Sequence, residues 1–396
     1  MSVAPVPCRV CGEAAPVFHV FPRRALLTKP VAEPLPEATA DLALGYCPDC
    51  RHVSGAYDSP LAGDLLERTY TELYAHHSPT SLSPTQVAWD HHVAGWLSRR
   101  LPPDARVLEV GCFDGLFLAL LRDRGCAVRG VEPSPAVETA RSRGLDVVEG
   151  FFDPDAFEAG AYDLVVLRHV VEHVPEPGAL LSPLAGLLRP GGVVYVEVPN
   201  SLYSLEERYY PEFHVDHLSY FTAASLATTL ARSGLGRVQH LESVRAYLRF
   251  PFLTCLAAPG EAPSGGGGWF QDFAIEATLA RFGESFAVYC DSLRRLVAGG
   301  RVGVWGTGML GGQLAIDGGW AESDAWYVDP NEVNQRLRLS VTGHVVHAPA
   351  TLDDVEVSSV VVASGWEEDA LAQLSAATRR RRPVHVFTDL LRGQLA

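Results

Sequence analysis

Three groups of residues have types and spacings that could do chemistry. Cys8-Arg-Val-Cys11 and Cys47-Pro-Asp-Cys50 are two C-x-x-C pairs separated by 35 residues. Two residues between thiolates let one tight turn carry both sulfurs to the same tetrahedral ion, and a second such knuckle closes the shell. A structural zinc is therefore expected, with a redox dithiol as the alternative. The other cysteines, Cys112, Cys126, Cys255 and Cys290, stand singly and read as small buried hydrophobes in a reducing compartment. The second group is Val-Leu-Glu109-Val-Gly111-Cys-Phe-Asp114-Gly115, a strand running through E-x-G-x-x-x-G into a helix, with Glu132 closing the next strand. That arrangement accommodates a nucleoside. Gly111 lets the backbone approach the ligand, Asp114 and Gly115 shape the turn, and Glu132 can accept both ribose hydroxyls. The third group is Tyr209-Tyr-Pro-Glu-Phe-His214-Val-Asp216-His217-Leu-Ser-Tyr-Phe. An imidazole ordered by an adjacent carboxylate is suited to take a proton. His169 and His173, spaced i, i+4, are expected on one helix face at the end of the fourth strand, where an open parallel sheet faces its ligand; for one of them capping or packing is the alternative. Phe151 or Phe152 could stack on a base, or pack in the core.

The elements that must position these groups follow from apolar runs. A strand and helix alternation extends from Arg106 to about Gln239, with strands starting at Arg106, Ala127, Leu145, Tyr162 and Gly192. Short apolar runs between helices indicate a parallel sheet covered on both faces. Residues 1 to 60 hold the knuckles around a Pro-rich stretch, Thr28 to Pro36, with too little apolar periodicity for a large core, so the ion must support folding there. Residues 61 to 104 read as helical, 258 to 268 as a Gly-rich linker, and Trp269 to about Val297 as a helix. A second alternation begins at Arg301. There Gly306-x-Gly308-x-x-Gly311, with Asp329 ending the following strand, would by itself suggest NAD. Arg379 to Arg382 reads as a solvated helix end. The fold class is α/β, with a zinc-binding module at 1–60, a cofactor-binding unit with a helical lead-in at 61–257, and a second Rossmann-like unit at 269–396.

Composition excludes several functions. A net charge of -15 argues against sequence-independent nucleic-acid binding, which needs clustered cations. No apolar run approaches the ~18 residues of a membrane span, and the first residues lack a basic flank and apolar stretch. A cytoplasmic protein with no membrane partner is expected.

The Gly111 turn, Glu132, Tyr162-Asp-Leu-Val-Val-Leu and Leu188-Arg-Pro-Gly-Gly together resemble the class I S-adenosylmethionine-dependent methyltransferases. With the cysteine knuckles, Tyr70 to Ser78, Asp216-His-Leu-Ser-Tyr-Phe and a second Rossmann-like unit, the whole chain resembles the deoxysugar C-methyltransferases of natural-product (antibiotic) biosynthesis. Those enzymes methylate C3 of nucleotide-linked 4-keto sugars. The resemblance implies S-adenosylmethionine as cofactor, held by Glu109, Gly111, Asp114, Gly115, Glu132, Phe151, Phe152 and His169. It implies a structural zinc on Cys8, Cys11, Cys47 and Cys50, and a nucleotide-linked keto sugar as small-molecule partner. It also implies His217 as general base, Asp216 and His214 in the places of the family's glutamate and tyrosine, and His173 as a second active-site histidine. Tyr70 or Tyr74 matches a substrate-side tyrosine, at looser spacing than the family's. In that family the C-terminal glycine turn carries no redox cofactor, which implies a structural or diphosphate-facing role for Gly306, Gly308 and Gly311. Departures fall on the acceptor side: His169-Val-Val-Glu-His stands for Asn-Val-x-Ala-His, and Val244-Arg-Ala-Tyr-Leu-Arg-Phe for a His-Gly-Gly-Ser stretch. An O- or N-methyltransferase is the alternative, and a non-catalytic NAD-binding protein the alternative of a different class. Oligomeric state is left open, a monomer being compatible.

Overall fold

The computed structural model describes residues 4–26, 30–57, 84–214, 216–246, 251–262, 275–364, 367–387 and 390. Tyr70 and Tyr74, and most of the expected linker, lie outside the described residues.

The N-terminal part forms more regular structure than its composition suggests. β1 (Val6–Pro7) and β2 (Ala14–Ala15) make a small hairpin, and β3 (Val17–Ala25), β4 (Thr39–Cys47) and β5 (His52–Tyr57) form an antiparallel sheet. Phe21, Leu42, Leu44 and Val53 on this sheet are fully buried, but against other parts of the chain, which is why no independent core was legible in residues 1 to 60.

After the helix Pro84–Ser98 comes the large sheet. Its strands are β6 (Arg106–Val110), β7 (Ala127–Glu132), β8 (Asp146–Glu149), β9 (Tyr162–Arg168) and β10 (Leu188–Pro199), then, beyond a short strand β11 (Ser219–Tyr220), β12 (Arg237–Val244) and β13 (Phe252–Ala258). The order is β12-β13-β10-β9-β6-β7-β8, with only β13 running against its neighbours. The central strands are buried on both faces, with Val107, Leu108 and Leu164 to Leu167 inaccessible, as a helix-covered parallel sheet requires. This is the open α/β sheet, with one reversed strand, that the resemblance leads one to expect.

The long helix Ile275–Ala298 matches the one expected from Trp269, as far as it is described. A second sheet follows, with β14 (Val302–Trp305), β15 (Ala325–Val328), β16 (Val346–His347), β17 (Ser359–Val362) and β18 (Val384–Val386) all parallel in the order β16-β15-β14-β17-β18. Its glycine turn is built for close packing. A Cβ on Gly311 would lie 2.0 Å from the Gly306 carbonyl oxygen, and Gly306 itself has φ +108. The helix end at Arg379 to Arg381 is exposed as expected, whereas Arg382 donates to the carbonyls of Leu352 and Val355.

One core joins the parts. Phe21 stacks on Phe213 with ring centroids 5.6 Å apart, and Tyr210 and Phe213 contact Phe282 of the long helix at 5.2 Å each. Arg24 of β3, fully buried, pairs with Asp317 of the helix Met309–Gly318 at 3.2 Å and lies 4.0 Å over the Phe21 ring. Removing one partner of such a pair strands the other charge in the core. Arg24→Ala should therefore lower unfolding free energy by about 3 to 5 kcal/mol in denaturant titration; an unchanged midpoint would show that Asp317 is neutral there.

Candidate active site

The Gly111 turn forms as the glycines demand. Gly111 has φ +72 and Gly115 φ +74, and a Cβ on Gly111 would lie 2.6 Å from Val170 Cγ2. Asp114 accepts from the Leu116 amide (3.0 Å) and from Arg143 (3.0 Å), which fixes the entry to the helix Leu116–Arg122. Glu132 is buried at the end of β7, with Oε2 accepting the Phe113 amide (2.8 Å) and Oε1 the Ser134 amide (2.9 Å). Each oxygen keeps a lone pair, so the carboxylate both ties the turn to β7 and can serve two ribose hydroxyls. Glu109 lies beneath the turn with Oε2 buried and unpartnered, and burial raises its pKa well above the carboxylate range. A buried carboxyl oxygen with no partner among the described residues, below a bare glycine turn, fits a ligand that brings polar or cationic groups, as the aminoacyl nucleoside of S-adenosylmethionine does. Phe152 stacks on Phe157 with centroids 5.7 Å apart and is a packing residue, whereas Phe151 is 61% exposed and available to a base.

His169 and His173 do not share a helix face. Residues 169 to 173 form a turn, with His169 at φ 53 and its amide donating to the Glu197 carbonyl (2.9 Å) as a last ladder bond of the sheet. Pro175 and Pro177 disfavour helical Val174 and Glu176, so the helix waits until Pro177–Leu181. The tight turn nevertheless brings His173 inward and sets Val170 against Gly111, which joins the cofactor turn to the histidines.

The segment 209 to 220 is held by its aromatic residues. Tyr209, Tyr210, Phe213 and Tyr220 enter the shared core, and Glu212, His214 and His217 between them are buried as well. The Leu218 and Ser219 amides donate to the Glu172 carbonyl (2.9 and 3.1 Å), and β11 pairs with β5 of the N-terminal sheet. Gly55 of β5 makes that approach possible, since a Cβ there would lie 3.1 Å from the Tyr220 ring and 3.2 Å from the His217 carbonyl oxygen. The rings of His173 and His217 lie 4.8 Å apart, and those of His214 and His217 3.9 Å. His173 Nδ1 meets the Asp216 carbonyl oxygen at 3.0 Å, so its Nδ1–H donates there.

The carboxylate assignments differ from the sequence expectation. Asp216 pairs with Nδ1 of His214, not with its neighbour His217, because the turn carries the two side chains apart. His217 Nδ1 instead lies 3.2 Å from Glu212 Oε1. Glu172 lies 3.5 Å from His169 Nδ1 and 3.8 Å from His173 Nε2. Burial pushes His173 down to about 3 and His214 well below the imidazole range. Burial works in the same direction on His217, but Glu212 and then Glu172 outweigh it and raise its pKa. Glu172 and Glu212 were missed in the sequence because nothing in a five-residue spacing says which way a turn will aim a side chain.

The four cysteines of the N-terminal knuckles are free thiols whose sulfurs all lie within 4.8 Å of one another, Cys11 and Cys47 at 3.8 Å. The edge of a tetrahedron with zinc–sulfur bonds of ~2.3 Å is about 3.8 Å, so the donor set fits that ion. Burial raises the Cys8 thiol to about 11, a cost that a bound cation would offset. In the second sheet Asp329 has the place of a ribose acceptor but is used locally: its carboxylate takes the Thr307 hydroxyl, the Thr307 amide (3.2 Å) and the Asn331 amide (2.8 Å).

Fold and site together define an α/β unit of the class I methyltransferase type with a histidine and carboxylate cluster beside its glycine turn. Residues 86–240 match a family model described as a methyltransferase domain, so the chain carries such a domain. Among its relatives, the ubiquinone biosynthesis O-methyltransferase of Xanthomonas axonopodis pv. citri is 35% identical over 114 residues, covering 26% of this chain and 48% of that protein. The C-methyltransferase NovU of Streptomyces niveus is 31% identical over 135 residues, covering 33% of this chain and 32% of that one. The chain thus spans about half or less of the length of these two relatives. The solved 1,6-didemethyltoxoflavin-N1-methyltransferase of Burkholderia thailandensis, bound to 1,6-didemethyltoxoflavin and S-adenosylhomocysteine, is 19% identical with a TM-score of 0.40, covering 55% of this chain and 99% of that one. Among the described residues, no helix is long and apolar enough to cross a membrane.

Proposed function

We propose that this chain is an S-adenosylmethionine-dependent C-methyltransferase of a nucleotide-linked keto-deoxysugar, with His217 as general base and a structural zinc on Cys8, Cys11, Cys47 and Cys50. The observation that carries this reading is the contact of Val170 with Gly111, which sets the turn bearing His173 directly against the cofactor turn, with His217 beside it. Glu132 and the Gly111 turn would hold the nucleoside, Glu109 would face the aminoacyl end, and Phe151 would cover the base. S-adenosylmethionine supplies, when bound, a methyl group already activated on a sulfonium. The chain's own task is to align an acceptor carbon and take its proton, and a ketone beside that carbon makes the proton acidic enough for an imidazole. The Rossmann-like sheet from β14 to β18 would complete the acceptor site; the local use of Asp329 favours this over NAD binding. Incubating the protein with a nucleotide-sugar pool and methyl-labelled S-adenosylmethionine should yield a methylated keto sugar by mass spectrometry. Label found only on oxygen or nitrogen would support the other transferase reading, to which the O-methyltransferase relatives point.

Cofactor binding has its own check. Glu132→Ala removes two charge-assisted acceptors, each worth about 1.5 to 3 kcal/mol, and unties Phe113 from β7. S-adenosylhomocysteine affinity should fall by roughly tenfold or more in calorimetry. An unchanged dissociation constant would remove Glu132 from the nucleoside site, and heat on NAD titration would count against the local use of Asp329.

A further inference from the structure

We propose that Glu212 is the positioning residue of His217, holding its Nδ1–H and leaving Nε2 to accept a proton, while Asp216 serves His214. This deepens the reading of His217 as base and rests on it. Glu212 is 2% exposed, on the single turn Tyr210–Glu212, fixed between two aromatic residues packed in the core. Its Oε1 lies 3.2 Å from His217 Nδ1, and among the described residues neither atom makes a hydrogen bond elsewhere, apart from the bearing of the Glu212 backbone on the same imidazole. A buried carboxylate facing a buried imidazole nitrogen, each otherwise unsatisfied, is the pairing that burial demands. Asp216 is unavailable for this task because its carboxylate is on His214 Nδ1.

Among the described residues, the groups facing His217 are Glu212 from its turn, Glu172 and His173 from the turn after β9, His214 from its own loop, and Tyr220 of β11, whose phenol burial holds in the neutral form. Both carboxylates favour the imidazolium and burial opposes it. The net direction is upward, so the neutral, proton-accepting form is gained as pH rises through a value above the ordinary 6.5. Removing the Glu212 charge leaves burial dominant and should move that titration down.

The test follows the His217 imidazole by nuclear magnetic resonance in the full chain, with ¹³C-labelled histidine and His217→Gln to assign the signal. In Glu212→Gln the midpoint should fall by about one pH unit or more. Glu212→Asp, which keeps the charge, should restore much of the shift, and Asp216→Asn should leave the His217 midpoint higher than Glu212→Gln does. On a keto acceptor the acid limb of kcat/KM should move with the midpoint, and kcat should fall more than KM changes. An unmoved midpoint in Glu212→Gln, or an equal fall in Asp216→Asn, would overturn the assignment. Failure of the chain to methylate any keto sugar would overturn the base role of His217 and leave the resonance result standing.

Discussion

His217→Gln is expected to slow methyl transfer by roughly 10²- to 10⁴-fold while leaving S-adenosylhomocysteine affinity nearly intact. The substitution keeps size and some hydrogen bonding but removes the proton acceptor. Its locality follows from the structure: His217 touches His173, His214 and Glu212, whereas Glu132 and Asp114, proposed for the nucleoside, are held by neighbouring amides and Arg143. If the acceptor is a ketone, the wild type should exchange the acidic ring proton with deuterated water in the presence of S-adenosylhomocysteine, and the variant should not. Full activity in His217→Gln, or exchange lost only in His173→Gln, would transfer the role to His173. Its neutral imidazole, donating from Nδ1 to the Asp216 carbonyl, leaves Nε2 as acceptor in the same cluster.

If the four N-terminal cysteines hold the proposed zinc, its loss should be the most damaging change to the fold. Zinc binding by small cysteine modules is worth about 10 to 16 kcal/mol in apparent terms, and an ion on these four sulfurs would tie the β1–β2 hairpin to the turn between β4 and β5. Protein purified without chelator should contain one zinc per chain, and Cys47→Ser should lose it together with a large fall in melting temperature. The structure adds a consequence for turnover. Arg9, inside the first knuckle, donates to the Gly55 carbonyl of β5 (3.0 Å) and to the Pro175 carbonyl beside the His173 turn (3.3 Å). β5 in turn pairs with Ser219 and Tyr220, next to His217. Zinc removal should therefore slow methyl transfer while cofactor affinity persists, because β6, β7 and β8 pair only within their own sheet. Zinc-free protein with undiminished turnover would show that the knuckles serve something other than this scaffold.

The contrast between these two regions shows what could be known from the chain alone. The Gly111 turn, Asp114 and Glu132 were legible because their constraint is local: a strand, a turn requiring positive φ and an acidic strand end within 25 residues, on a sheet whose apolar runs declare themselves. The cysteine spacing was legible for the same reason, since a knuckle is a single turn. His173 and His217, both singled out in the sequence, lie together in the fold, though the helix expected to display His169 and His173 is absent among the described residues; two prolines and a ladder bond from His169 to Glu197 replaced it with a turn. Tertiary structure alone decided that Asp216 belongs to His214 and Glu212 to His217, and that Glu172 faces His169 and His173. It also decided that a sheet from the first sixty residues supports the segment bearing His217. Those choices depend on which side chains the shared aromatic core takes. Phe21, Tyr210, Phe213, Phe282 and Phe286 come from three distant stretches, and their burial settles where the polar residues between them must point.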